Sequence, residues 1–286
     1  QEAATNTNIS IAGSLEKLST GLKINKASDN ASGLAIADKL RTQVTSINQG
    51  ISNGNSAIAL LQITDKSMAE QSKILDTIKS KLIQANTDTT SVAGRTAIAK
   101  DVTKLLQQLN NIGEQTNYNG TNLLQAKRTT LNASTEGNLT AARAAIGGLS
   151  FQIGEGTQDL IKTKTINSNV AGLKLSALAK AVRSGAKVAA NATAGTTGVF
   201  TRAMASAGQK AIDDAITTLN GYRGDIGSTQ NQVESAVRNL MTQSTNIKAA
   251  ESVIRDVDYA EESANFNKLN IISQAGSYAI SQSNAT

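Results

Sequence analysis

The sequence predicts a mainly α-helical fold, in which both ends of the chain build an elongated antiparallel helical bundle or coiled coil. Apolar residues recur every seven positions in two long stretches, one near each end of the chain. Proline, the strongest helix breaker, is absent. Aromatic residues make up only 2% of the chain, so the core must consist of aliphatic side chains, which let helices approach closely.

The two apolar repeats are matched in length. Each covers about 42 residues, and a seven-residue repeat sustained this long is typical of one long helix packed on another. At a rise of about 1.5 Å per residue, each repeat is roughly 63 Å long. The first repeat has one gap, at Gly54. We predict an intrachain helix seam that consists of Leu40, Ile47, Leu61, Met68, Leu75, Leu82, Ile212, Leu219, Ile226, Val233, Leu240, Ile247 and Ile254.

The helices can be placed along the chain from these repeats. The first long helix is predicted from about residue 30 to residue 86, because residues suited to capping precede its repeat. A turn at 87–91 leads to a shorter helix at 92–113, and the short connection predicts an antiparallel hairpin. The second long helix is predicted at 209–254, and a last helix follows it.

The middle of the chain has a weaker helical pattern. Short strands are predicted at 151–154 and 161–170, while residues 172–207, rich in Ala, Gly, Ser and Thr, fit either a helix or a strand. We therefore predict three parts: a helical core rod (30–125 and 209–254), terminal helix remnants with spoke linkers (1–29 and 255–286), and a small mixed α/β or irregular outer domain (126–208).

The sequence lacks several side chains on which enzyme chemistry depends. Without Cys or His, the chain has no ligands for a His- or Cys-bound zinc, no usual haem ligand, and no Ser-His-Asp or Cys-His nucleophile. Its glycine-rich stretches lack the Lys-Ser/Thr pair of a phosphate-binding loop. The composition therefore favours a structural protein, and we expect no catalytic residue, no metal site and no cofactor.

The net charge and the hydropathy of the sequence limit the classes of partner that the chain is expected to bind. The formal net charge is +6, but neither the basic clusters with stacking aromatics nor the helix motifs of nucleic-acid-binding proteins are present, so we expect no nucleic-acid partner. No apolar run approaches the ~20 residues that span a bilayer, so we expect no membrane insertion. Basic residues outnumber acidic ones between residues 126 and 208. We interpret this stretch as a solvated surface, although an exposed positive rim can attract anionic polymers.

Six short motifs resemble those of bacterial flagellins, and they occur in the same order. They lie at residues 18–25 (LSTGLKIN), 27–37, 115–120 (QTNYNG), 151–154 (FQIG), 254–260 (IRDVDYA) and 273–276 (SQAG). The first is similar to the flagellin motif LSSGLRIN, and the fifth is similar to IEDxDYA. Two further stretches, at 72–79 and 249–252, resemble flagellins of the Campylobacter and Helicobacter type.

This resemblance implies an extracellular structural subunit of the flagellar filament, which confers motility and assembles with other flagellin subunits. It also implies export without a cleavable signal peptide, an export chaperone, and contacts with hook-associated and cap proteins. Both ends are shorter than the family pattern, so we expect this chain alone to be a monomer. Two alternatives stay open: a hook–filament junction protein, and a flagellin-like cell-surface protein that binds an acidic polysaccharide.

Two groups of residues outside this architecture are also singled out. The predicted spoke and hinge consists of Gly21, Asn25, Arg255, Asp256 and Asp258. We interpret its charged members as a hinge with a helix-terminal salt bridge, because no glycine-bearing calcium loop surrounds them. The second group corresponds to a patch that many flagellins present to an innate immune receptor.

That receptor patch is degenerate in this chain. The family motif is similar to LQRVREL, and the corresponding residues here include Leu75, Thr77, Lys79, Ser80 and Lys81. Threonine and lysine therefore stand where the family has arginines. Arginine often anchors interfaces through its planar guanidinium group, which threonine cannot supply. We expect weak or no activation of the receptor.

Overall fold

Long helices form most of the computed structural model, which describes residues 31–126, 143–154, 156–189 and 191–255. Helix α1 spans Ala31–Ala85, α2 spans Val92–Gln115, α3 spans Ser176–Ala186 and α4 spans Arg202–Arg255. The predicted mainly α-helical fold is confirmed, and α1 and α2 lie close to their predicted bounds. Predictions for residues 1–30 and 256–286 lie outside the described residues.

Helix α4 begins earlier than predicted, at Arg202 rather than at residue 209. The hydroxyl oxygen of Thr201 accepts a hydrogen bond of 3.2 Å from the backbone N–H of Met204. This bond satisfies an amide that has no partner inside the first turn of a helix. The sequence-based bound was wrong because the first turns of α4 contain small residues without an apolar period.

The chain divides into two compact units. Among the described residues, the first unit contains 31–51, 154, 156 and 238–255, and the second contains 52–126, 143–153, 157–189 and 191–237. In the second unit, ion pairs join Asp65 to Arg223 (3.0 Å) and Lys79 to Asp213 (2.6 Å). Residue numbers rise along α1 as they fall along α4, so the two helices are antiparallel there. In the first unit, the Ser244 hydroxyl lies 3.4 Å from the Asn48 side-chain oxygen.

The boundaries of the two compact units do not coincide with the domain boundaries predicted at residues 126 and 208. The predicted domain division stays a prediction. Helix α3 lies between these two positions, yet it packs against α2 within the second unit. It buries Leu178, Ala179 and Val182, and a Cβ atom added to Gly185 would lie 3.2 Å from the Cβ of Ala99. Part of the middle segment therefore shares its core with α2.

Two short antiparallel hairpins complete the second unit. Strand β1 (Asn117–Tyr118) pairs with β2 (Thr121–Asn122), and β3 (Ser150–Gln152) pairs with β4 (Leu160–Lys162). The strands predicted in the middle of the chain are thus present but shorter than expected. In the first hairpin the turn is Asn119-Gly120, with φ of 53° and 82°, which is the conformation that Asn-Gly favours in two-residue loops.

Two arginines hold the turn between α1 and α2. Arg95 donates from Nε to the carbonyl oxygen of Ala85 at 2.9 Å. Arg202 donates from Nε to the carbonyl oxygen of Asn86 at 2.7 Å and also pairs with Asp88. Helix α1 has no basic residue in its last turn, so these two side chains supply the positive charge that stabilises a helix C-terminus.

The gap in the first apolar repeat, Gly54, is explained by a close approach of α1 and α4. A Cβ atom at Gly54 would lie 2.3 Å from the Cγ2 atom of Val237, far inside van der Waals contact. Val237 is one helical turn beyond the seam residue Val233. The repeat is therefore interrupted where the partner side chain occupies the space of a methyl group.

The substitution Gly54→Ala should lower the free energy of unfolding by about 1–3 kcal/mol, because the new methyl group overpacks against Val237. The matched control is Gly221→Ala in α4, where nothing lies within 4 Å of the added Cβ. That control should stabilise the chain by about 0.5–1 kcal/mol, the usual gain in a helix interior. Urea denaturation measures both effects. Two variants of equal stability would show that the helices do not meet at Gly54.

Candidate assembly site

The predicted seam residues lie on buried helix faces, most completely in the second unit. There, none is more than 3% exposed: Leu61, Met68, Leu75, Leu82, Ile212, Leu219, Ile226 and Val233. In the first unit, Ile47 and Leu240 are buried, whereas Leu40, Ile247 and Ile254 are half-buried. Full burial of such a side chain contributes roughly 1.5–3 kcal/mol. The seam is therefore a large part of the driving force that pairs α1 with α4.

A buried polar cluster lies beside the seam. Gln71 is fully buried and donates from Nε2 to the carbonyl oxygens of Ser168 (2.9 Å) and Leu109 (3.2 Å). Its Oε1 atom accepts a hydrogen bond from the Ser168 hydroxyl. Asn110 accepts a hydrogen bond of 2.8 Å from the backbone N–H of Val170. These bonds attach the loop that precedes α3 to both α1 and α2.

Asn169 extends this cluster. Its side-chain nitrogen donates to Gln125 Oε1 at 2.9 Å and to Asn167 Oδ1 at 2.6 Å, and its Oδ1 accepts a hydrogen bond from the N–H of Gly172 at 2.7 Å. Removing one member of such a cluster leaves its partner buried without a hydrogen bond, at a cost of about 1–3 kcal/mol. The cluster therefore selects one position for the loop.

These buried polar residues were not predicted from the sequence. Gln71 follows Met68 by three positions and precedes Leu75 by four, so it occupies a core position of α1. A polar side chain at that spacing was the one available signal of a buried hydrogen-bonding group. Its partner Ser168 lies 97 positions further on, and no local pattern connects the two residues.

Models of known protein families match both ends of the chain. The bacterial flagellin N-terminal helical region matches residues 1–129, and the bacterial flagellin C-terminal helical region matches residues 209–286. Together these matches cover more than half of the chain. The chain belongs to the flagellin family. Flagellins are structural proteins that assemble into the bacterial flagellar filament, so this flagellin is a structural subunit of a filament.

Individual relatives support the family over nearly the whole chain. The flagellar filament 31.3 kDa core protein of Treponema maltophilum is 30% identical, over 98% of this flagellin and 91% of its own length. Flagellin A of Helicobacter pylori is 27% identical, over 95% of this flagellin and 92% of its own length. The predicted resemblance to Helicobacter flagellins is thereby confirmed.

A solved structure also shares the fold. It is described as a flagellar hook-associated protein from Vibrio parahaemolyticus, with a TM-score of 0.61 and 15% sequence identity, over 79% of this flagellin and 99% of that chain. At this identity the likeness shows the fold alone. In the part of the flagellin that the structure describes, no helix is long and apolar enough to span a membrane.

The residues of the degenerate receptor patch do not share one environment. Leu75 is buried in the seam, whereas Thr77 and Ser80 are exposed. The hydroxyl of Thr77 donates to the carbonyl oxygen of Lys73 within α1. Leu75 is therefore unavailable to a partner, and the exposed part of the patch begins at Thr77.

Both lysines of this patch are engaged in ion pairs within the flagellin. Lys79 lies 2.6 Å from a carboxylate oxygen of Asp213, and Lys81 lies 3.2 Å from one of Asp101. Their side chains stay partly exposed, so each pair is worth little for stability. The pairs nevertheless offset the positive charge that a receptor would meet.

The predicted hinge lies almost wholly outside the described residues. Arg255 is the last residue of α4. Gly21, Asn25, Asp256 and Asp258 all belong to the two terminal segments that the structure does not describe. The proposed salt bridge at the end of the helix therefore stays a prediction. Within the described residues, no group of three or more acidic side chains is placed to hold a metal ion.

Leu240→Ala should lower the free energy of unfolding by about 2–5 kcal/mol, because it removes a buried side chain and leaves a cavity. Leu240 is 7% exposed, and the adjacent Met241 is 55% exposed. Met241→Ala is therefore the matched control and should change the free energy by less than about 0.5 kcal/mol. Chemical denaturation followed by circular dichroism provides the measurement. Similar losses in the two variants would count against the seam at this position.

Proposed function

We propose that this flagellin assembles by docking the exposed faces of its long helices on neighbouring subunits, head to tail, into an open helical polymer. One observation carries the proposal. In the second unit the apolar seam is buried within the chain, yet large apolar side chains remain on other faces of the same helices: Ile63, Ile83 and Met204 are 37–51% exposed. Burying such surface against a neighbour contributes roughly 25 cal/mol per Å².

The location and further partners follow from this role. We place the assembled subunit outside the cell, in the flagellum, after export without a cleavable signal peptide. An export chaperone and the hook-associated and cap proteins are its other proposed partners. Family membership supports each of these assignments. The role requires contacts between subunits and no turnover of a substrate, in agreement with a sequence without Cys or His.

Deletion of the gene in its source bacterium should abolish filaments while hooks persist, as seen by negative-stain electron microscopy. The wild-type gene should restore filaments. Filaments that form without it but detach easily would instead indicate a hook–filament junction protein.

Complementation with an Ile83→Asp variant tests the docking surface, because a buried unpaired carboxylate is costly at an interface.

This variant should fold normally, since Ile83 is 51% exposed, but should yield few or short filaments. Thermal unfolding of the purified variant separates a folding defect from an assembly defect. Filaments of normal number and length from a folded Ile83→Asp variant would exclude this face of α1 from the contact between subunits.

We also propose weak or no activation of the innate immune receptor that recognises many flagellins. The support is Thr77, which stands in place of an arginine, together with the ion pairs of Lys79 and Lys81. Threonine has no planar, multidentate donor group with which to anchor an interface.

In receptor reporter cells, this flagellin should be much less potent than an enteric flagellin. The double variant Thr77→Arg with Lys79→Arg should raise its potency, because it restores both guanidinium groups. Thr42→Arg, at another exposed position of α1, adds charge elsewhere and should have no effect. A wild-type potency equal to that of the enteric protein would contradict the proposal.

A further inference from the structure

The longest segment without an acidic residue lies between Asp159 and Asp213. It contains eight basic residues: Lys162, Lys164, Lys174, Lys180, Arg183, Lys187, Arg202 and Lys210. The rest of the chain has 20 basic and 22 acidic residues, so it is slightly negative. The positive net charge of this flagellin is therefore concentrated in one segment.

Some of these cations are neutralised by neighbours, and others are not. Lys164 pairs with Asp225 at 3.4 Å, and Arg202 pairs with Asp88. By contrast, Lys174, Lys180, Arg183 and Lys187 are exposed, and none of the four has an ion pair or a hydrogen bond from its side chain among the described residues. Their charges are therefore available to an external anion.

Two of these four side chains share one face of α3, and a third, Lys187, belongs to the C-cap residue that directly follows the helix in the αR conformation. Lys180, Arg183 and Lys187 are spaced three and four residues apart, so they lie in a row along the helix. The row extends over about 10 Å at the helical rise. The buried residues of α3, including Leu178 and Val182, lie on the opposite side, where the helix packs on α2. Packing thus holds the row towards the exterior of the second unit.

We propose that this basic row binds an anionic polysaccharide that carries carboxylate or sulfate groups. The inference rests on the proposed extracellular filament, whose surface meets the glycans of cells and biofilms. A linear glycan repeats its charges along the chain, and the row repeats cations along the helix. Binding by such charges is electrostatic and weakens with salt.

The side chains around the row distinguish this partner from other anions. The exposed positions of α3 carry Ala177 and Ser184 besides the cations. This face has no large apolar side chain to insert into a bilayer, as interfacial helices have. It also has no aromatic ring on which a nucleobase stacks. Both features favour a polymer that is recognised by its charges.

The test compares two triple variants of the purified flagellin on immobilised heparin and polygalacturonate, with uncharged dextran as the blank. Replacing Lys180, Arg183 and Lys187 by Gln should weaken binding at least about tenfold, as expected when three anion contacts are lost. Wild-type binding should fall steeply as salt is added. The matched control replaces Lys66, Arg238 and Lys248 by Gln. These three cations are exposed, and none has a side-chain ion pair or hydrogen bond among the described residues.

The control removes the same net charge and should stay within about twofold of the wild type, since net charge alone acts weakly at physiological ionic strength. Equal losses in the two triple variants would overturn the proposal, because they would show a response to overall charge. Tighter binding of single-stranded DNA or of phosphatidylglycerol vesicles than of either glycan would overturn it too. The single variant Arg183→Gln should also bind the glycans more weakly than the wild type does. If its melting temperature is unchanged, this loss of binding cannot come from misfolding.

Filament formation separates this inference from the proposed function. Cells with the Lys180, Arg183 and Lys187 triple variant should still produce filaments, because the proposed glycan site requires the row to lie on the outer surface of the filament. Loss of filaments in this variant alone would show that the row contacts a neighbouring subunit, which overturns the glycan site but leaves the filament role intact. Wild-type cells are the reference for filament number. The filament role itself is tested separately, by the gene deletion.

Discussion

The antiparallel contact between α1 and α4 is the constraint on which the other features of the second unit depend. The two helices are joined by more than a hundred residues of intervening chain, and their predicted seam residues are buried throughout the second unit. The contact is close enough to require Gly54 opposite Val237. Because the pairing positions both helices, it also defines which faces remain free for partners.

The polar cluster complements this apolar contact. Apolar packing is nondirectional and tolerates small shifts, whereas hydrogen bonds from Gln71 and Asn110 to the loop before α3 require one geometry. Once the loop is placed, α3 lies against α2, and Gly185 allows a close contact there. The position of the basic row on α3 thus follows from buried amides rather than from the row itself.

The charges of this flagellin divide into two kinds with different consequences. Pairs such as Lys79 with Asp213 and Arg223 with Asp65 join α1 to α4 at the surface and leave little net field. The cations of α3 have no such partners among the described residues, so their field extends into solvent. A structural subunit can therefore present a surface of distinct charge to the exterior.

The sequence by itself determined the two long helices, their apolar faces and the family. A seven-residue period is local, so it is legible without coordinates, and short motifs such as QTNYNG need no structure to be compared. Only the tertiary structure decided that Gln71 is a core residue, that residues 176–186 form a helix against α2, and that α4 starts at Arg202. The first two facts depend on contacts between residues that are far apart in the chain. The third depends on a helix cap that is followed by small residues without an apolar period. A repeat of apolar residues in the sequence reveals neither kind of feature.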